Sequence, residues 1–190
     1  MNAPKRLKIK LAIESQDTLD LANIIPVFQS WIQHKTVPGL LIDVADYKHV
    51  PQGPGIMLIG HEADYGVTVE KGQASFIYDM KRELPTNLND AIQLVTHRVV
   101  LAAQALSEKT GLTVIPGQAT LILLDRLHYP NESTSYSAIE ANVQATLNDV
   151  YQGEVTISHA EADTRRPLTI TILANATINT ILENRELTPA

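Results

Sequence analysis

The segment Gly60-His61-Glu62-Ala63-Asp64-Tyr65, preceded by Asp43, Asp46, Tyr47 and His49, gathers the residue types that acid–base or metal chemistry needs. An imidazole beside carboxylates can bind zinc, manganese or iron, and the same groups exchange protons near neutral pH. Strand geometry narrows the set. If Ile56 to Glu70 is one extended run, His61 shares a face with Ile59 and Ala63, whereas Glu62 and Asp64 point the other way. His61 must then recruit Asp43 or Asp46 from the preceding strand, and only one of the two has the right parity. The candidate catalytic set is thus His61, Asp43 and Asp46, and the candidate metal pair is His61 with Asp46. The plainer reading of these residues is a half-buried histidine with surface carboxylates around it.

A second candidate is a small anion or nucleotide. The loop from His49 through Pro51, Gly53, Pro54 and Gly55 can bring backbone amides close to an anion, and Arg126, just past a later strand, offers a guanidinium fork, with His128 and Tyr129 nearby. His49, Gly53, Gly55, Tyr65 and Arg126 form this ligand-binding set. A loop built only to reverse the chain has the same composition, and the order and spacing of a P-loop or dinucleotide fingerprint are missing. The chain carries no Ser-centred elbow, HExxH or EF-hand motif, so the cofactor is unknown. His34 suits a helix C-terminus, His97 flanks an apolar helical stripe, and His159 shares a strand face with Val155 and Ile157.

Composition sets the classes these residues can serve. The 190 residues are enough for one full core, and a 44% hydrophobic share with 19% charged residues is that of a folded chain, which confines expected disorder to the ends. A net charge of −6 argues against nucleic acid, because phosphate binders need a basic footprint. The one dense basic stretch, Lys5 to Lys10, alternates with Ile9, Leu11 and Ile13 and reads as the solvated face of a strand. The absence of cysteine excludes disulfides, thiolate metal sites and cysteine nucleophiles. Neither a signal peptide nor a membrane span is legible, which makes the cytoplasm the expected compartment and excludes membrane insertion.

The elements that must position these groups follow from periodicity. Residues 8–13 alternate as a strand; Asp17, Asp20 or Asn23 then caps a helix striped by Ile24, Phe28, Trp31 and Ile32, with Pro26 in its first turn and its end before Pro38-Gly39. Residues 40–46 read as a buried strand. A long strand from Ile56 to Glu70 returns at Lys71-Gly72 through Gln73 to Lys81, an added hairpin arm with Met57, Ile59, Ala63, Tyr65 and Val67 on one face. Asn87 or Thr86 caps the longest helix, which Gly111 closes. Residues 120–125 make a strand, Ser137 with Glu140 a capping box for a third helix stopped by Gly153, residues 155–161 and 168–174 two strands, and Ile178 to Leu182 a short helix.

This order predicts an α+β fold in a single domain: a mixed, mainly antiparallel sheet with helices on one face. Two ferredoxin-like half-units, about residues 6–86 and 112–182, would account for the similar pattern of the halves. The segments Ile25 to Gln33, Leu41 to Tyr47, Gly53-Pro54-Gly55 and Gly60 to Tyr65, with Asp125-Arg126-Leu127, resemble recurrent segments of an uncharacterised bacterial family found in cyanobacteria and proteobacteria. The resemblance brings no activity with it. A chain rich in apolar faces and poor in convergent polar groups is expected to be a non-enzymatic binding or assembly domain, a homo-oligomer or a protein's partner. The alternatives are a metal-assisted or acid–base enzyme at His61 and an anion binder at the glycine loop.

Overall fold

The computed structural model describes residues 1–14, 19–50, 53–159 and 163–184. Asp17 and Pro51, named above, and the last residues of the strand expected over 155–161 lie outside them. Strand β1 (Leu7–Ile13) leads through a 3₁₀ turn at Leu21–Asn23 into helix α1 (Ile24–His34); strands β2 (Leu41–Asp46), β3 (Ile56–Gly60), β4 (Ala63–Glu70) and β5 (Gln73–Met80) follow. Helix α2 (Leu88–Thr110), strand β6 (Val114–Leu123), helix α3 (Ser133–Tyr151), strands β7 (Val155–His159) and β8 (Leu168–Ala174), and helix α4 (Ile178–Leu182) complete it.

The strands form one sheet in the order β2-β3-β4-β5-β1-β6-β8-β7. Every neighbouring pair is antiparallel. Strand β8 therefore lies between β6 and β7, which run parallel to each other and are joined by α3. The same logic makes β1 and β2 parallel, but there β3, β4 and β5 separate them. The hairpin β4–β5 is thus no arm: β5 pairs with β1 along its length, and both strands sit inside the sheet.

Alternation explains the single helix layer. Leu7, Ile9, Leu11 and Ile13 of β1, Tyr65 and Val67 of β4, Phe76 and Tyr78 of β5, Leu121 and Leu123 of β6, and Ile170 and Ile172 of β8 all point to one side and join one contiguous core with the helices. Trp31 of α1 anchors it, with ring centroids 5.2 Å from Phe28, 6.1 Å from Tyr65 and 6.4 Å from Phe76. On the other face, long cationic side chains cover acids of β4 and β5. Arg6 and Lys8 both reach Asp79, which is 2% exposed, Lys81 reaches Asp64 at 2.7 Å, and Lys10 reaches Glu70 at 2.7 Å.

Helix ends follow their residues where short polar groups are present. Asn87 Oδ1 accepts the Asp90 N–H at 2.9 Å and Gly111 closes α2 at φ 72°, while Asp20 caps the 3₁₀ turn ahead of α1. The capping box at Ser137 and Glu140 does not form, because α3 starts four residues earlier, at Ser133, and its N-cap residue Glu132 makes no side-chain capping bond. Gln152, at φ 56°, ends α3 ahead of Gly153. Strand β6 begins at Val114 rather than Thr120; Gly117 permits this, since a Cβ there would lie 2.1 Å from the Ala174 carbonyl oxygen of β8.

Candidate functional site

The largest departure from the sequence pattern lies at its most suggestive motif. Ile56 to Glu70 is two strands, with the chain reversing at His61 and Glu62 so that Leu58 pairs with Tyr65 and Ile56 with Val67. The reversal puts Ile56 and Leu58 in the core beside Tyr65 and Val67, and moves Met57 and Ile59 to the opposite face. The motif's polar groups hold this turn. Glu62 Oε2 accepts the Leu40 N–H at 2.8 Å, and the Glu62 carbonyl accepts the N–H groups of Lys81 and Arg82. Asp64 Oδ1 accepts from Gly60 N at 3.1 Å and from Lys81 Nζ. The Leu40 and Glu62 backbone N–H groups hold the Glu62 carboxyl below the usual carboxylate range.

These contacts disperse the His61 set. Arg82 Nη1 donates to His61 Nε2 at 3.3 Å. Asp46 pairs with Ile56 at the far end of β2, whereas His61 follows Gly60, which pairs with Leu41. Five residues of strand, about 16 Å, separate them, so His61 and Asp46 cannot share a metal ion. Asp43 pairs with Ile59 and its Oδ1 accepts the Val44 N–H at 2.8 Å. Asp46 serves Lys48, whose backbone N–H, ahead of its ammonium and His49, depresses the Asp46 carboxyl. Among the described residues, no three His, Asp or Glu side chains are placed to hold a metal ion.

The anion-binding set is dispersed as well. Tyr65 is fully buried and donates its hydroxyl to the Pro38 carbonyl at 2.9 Å; burial raises its pKa. Gly53 donates its N–H to the Val50 carbonyl and Gly55 accepts from Tyr47 N, each at 2.8 Å, so both close the turn. Gly55 has φ 74°, and a Cβ would stand 2.2 Å from the Val67 carbonyl oxygen. Arg126 donates to the Arg165 carbonyl beyond β6, four strands from β3 and about 19 Å away across the sheet.

What the structure does assemble is a pair the sequence placed only beside Arg126. Past β6 the chain turns so that the Tyr129 N–H reaches the Asp125 carbonyl at 2.8 Å, and both Asp125 carboxylate oxygens lie 3.0 Å from His128 Nδ1. The Asp125 side chain is 5% exposed and that of His128 60%. Burial alone would raise the Asp125 carboxyl, but the His128 ring and the Lys5 and His128 N–H groups together hold it below its ordinary range. With Asp125 ionised, Nδ1 carries the ring proton and Nε2 is the nitrogen that can exchange a proton with a ligand. His128 lines a cavity of about 500 Å³ between the N-terminal residues and the start of α3, shared with Asn2, Thr134, Ser135 and Ile139. Its signal in the sequence is the Asp-x-x-His spacing directly after a strand, a turn that aims both side chains the same way.

A second histidine is built into the α3–β7 boundary. His159 Nε2 meets Asn131 Oδ1 at 2.7 Å, and its ring stacks on Tyr136 at 5.0 Å. Burial and a hydrogen bond with Glu140 push the Tyr136 hydroxyl up to about 12. No family model, curated protein or solved structure matches the chain. No helix among the described residues is long and apolar enough to cross a membrane.

Proposed function

We propose that this chain is a binding and assembly domain that pairs with a second copy of itself along β2. The observation that carries this reading is the exposure of large apolar residues around one sheet edge: Leu40 is 62% and Ile42 57% exposed, with Tyr47 and Val50 also exposed just beyond the strand. An edge strand offers unpaired N–H and C=O groups, and an apolar margin adds buried area to the hydrogen bonds a second strand would make. The other edge carries a smaller margin: β7 turns Val155 and Ile157 toward α3 and presents Thr156 and Ser158 on its outer side, where Leu173 of β8, opposite Thr156, is, among the described residues, the one large apolar residue exposed beside it.

The acids on β2 favour one register. A twofold antiparallel pairing that sets Asp43 against its own copy is destabilised by like charge, whereas pairing Val44 with Val44 of the second copy places Asp43 opposite Ala45. Sedimentation at micromolar concentration is expected to give twice the 20.9 kDa chain mass, and Leu40→Lys with Ile42→Lys to give monomer. A wild-type chain that sediments as a monomer overturns the proposal.

A further inference from the structure

The cavity beside α3 is about 24 Å across the sheet from β2, five strands away, so its chemistry is separate from assembly. Its size falls within the range of small-molecule sites. Its polar equipment is specific. An imidazole is oriented through Nδ1 by a buried carboxylate, two hydroxyls come from Thr134 and Ser135, and apolar lining comes from Ala138 and Ile139. The other lining side chains are uncharged, and Met1, which also lines the cavity, brings the N-terminal ammonium. Such groups favour a substrate with a polar, hydrogen-bond-accepting centre, and an imidazole oriented by a carboxylate and 60% exposed to solvent is the arrangement of general-base hydrolysis.

From this geometry we infer that Asp125, His128 and the first turn of α3 form a hydrolytic site for small esters. His128 Nε2 takes a proton from water as the water oxygen bonds to the ester carbonyl carbon. The tetrahedral adduct then breaks its bond to the leaving oxygen, which receives that proton from Nε2, releasing a carboxylic acid and an alcohol. Asp125 is a positioning residue that holds the ring tautomer and stabilises the imidazolium between the two transfers. The hydroxyls of Thr134 and Ser135 are the donors available to the carbonyl oxygen as it gains charge.

The test is hydrolysis of p-nitrophenyl acetate by the full chain. The expected result is saturable turnover with a solvent deuterium isotope effect, reduced about 100-fold in His128→Gln and unchanged in His34→Gln, a surface histidine bonded to Ser30. Asp125→Asn is expected to lower kcat more than it changes KM. His128→Gln is assayed at a temperature where circular dichroism shows it and the wild type fully folded, which separates lost chemistry from lost fold. Equal rates in wild type and His128→Gln, or no turnover above buffer, overturn the assignment. A burst of acylated imidazole with no isotope effect overturns water activation.

Discussion

At the scale of single residues, the polar groups that drew attention in the sequence are mostly structural. Asp79, which no motif marks in the sequence, is structural too: a carboxylate 2% exposed, on a face without helices, shielded by Arg6 and Lys8. Removing it leaves both cations unpaired, and Asp79→Ala is expected to cost about 2 kcal/mol in urea unfolding. Gly55→Ala forces a side chain against the Val67 carbonyl at positive φ and is expected to cost about 2 kcal/mol by the same measurement. Asp125 supplies the pH dependence. Its folded pKa lies below the unfolded value, so its contribution is present in full above the unfolded carboxylate range and is lost as pH falls through the folded pKa. Asp125→Asn should therefore lower stability at neutral pH and flatten the acid limb of a thermal melt recorded against pH.

Elements explain which of these residues can meet. Splitting Ile56 to Glu70 into β3 and β4 reverses the chain at His61, so residues assigned to one face by a continuous alternation fall on two. The same turn ties the α1–β2 loop to β5 through Glu62, which makes the motif a clasp between elements. Strand β2, an apparent core strand by composition, becomes an edge because β3 to β5 intervene between it and β1. The pairing proposed for it is checkable with a chain that has no native cysteine. In the register that pairs Val44 with its copy, Val44→Cys is expected to form an intermolecular disulfide, since opposed Cα atoms in antiparallel strands lie about 4.5–5.5 Å apart. Failure of oxidised Val44→Cys to cross-link would exclude that register.

For the whole molecule, one core binds both halves of the chain. Helix α2 packs on β1, β5 and β6 and touches α1, α3 and α4, so neither half can lose its packing alone. Trp31, the single tryptophan, is fully buried in the N-terminal half, while α3 and β8 lie at the opposite side of the sheet. Unfolding followed by Trp31 fluorescence and by far-ultraviolet circular dichroism is expected to coincide, as one cooperative unit requires. Two separated transitions would assign the halves to independent units.

Local pattern alone determined the helices, most strands, the Lys71-Gly72 hairpin and the α2 caps, because period, capping residues and φ-permissive glycines act within a few residues of one another. It also placed Lys8 and Lys10 on the face opposite Ile9 and Leu11, where they stand. The turn at His61-Glu62 escaped this reading because Gly60 alone marks it; beside the local Gly60–Asp64 bond, its bonds come from Leu40, Lys81 and Arg82, distant in sequence. Strand order decided the rest. Only the tertiary pairing put β2 at an edge, set His61 and Asp46 at opposite ends of a strand pair, and closed the cavity around His128 with the N-terminal residues, for these are long-range contacts that neighbouring residues do not encode.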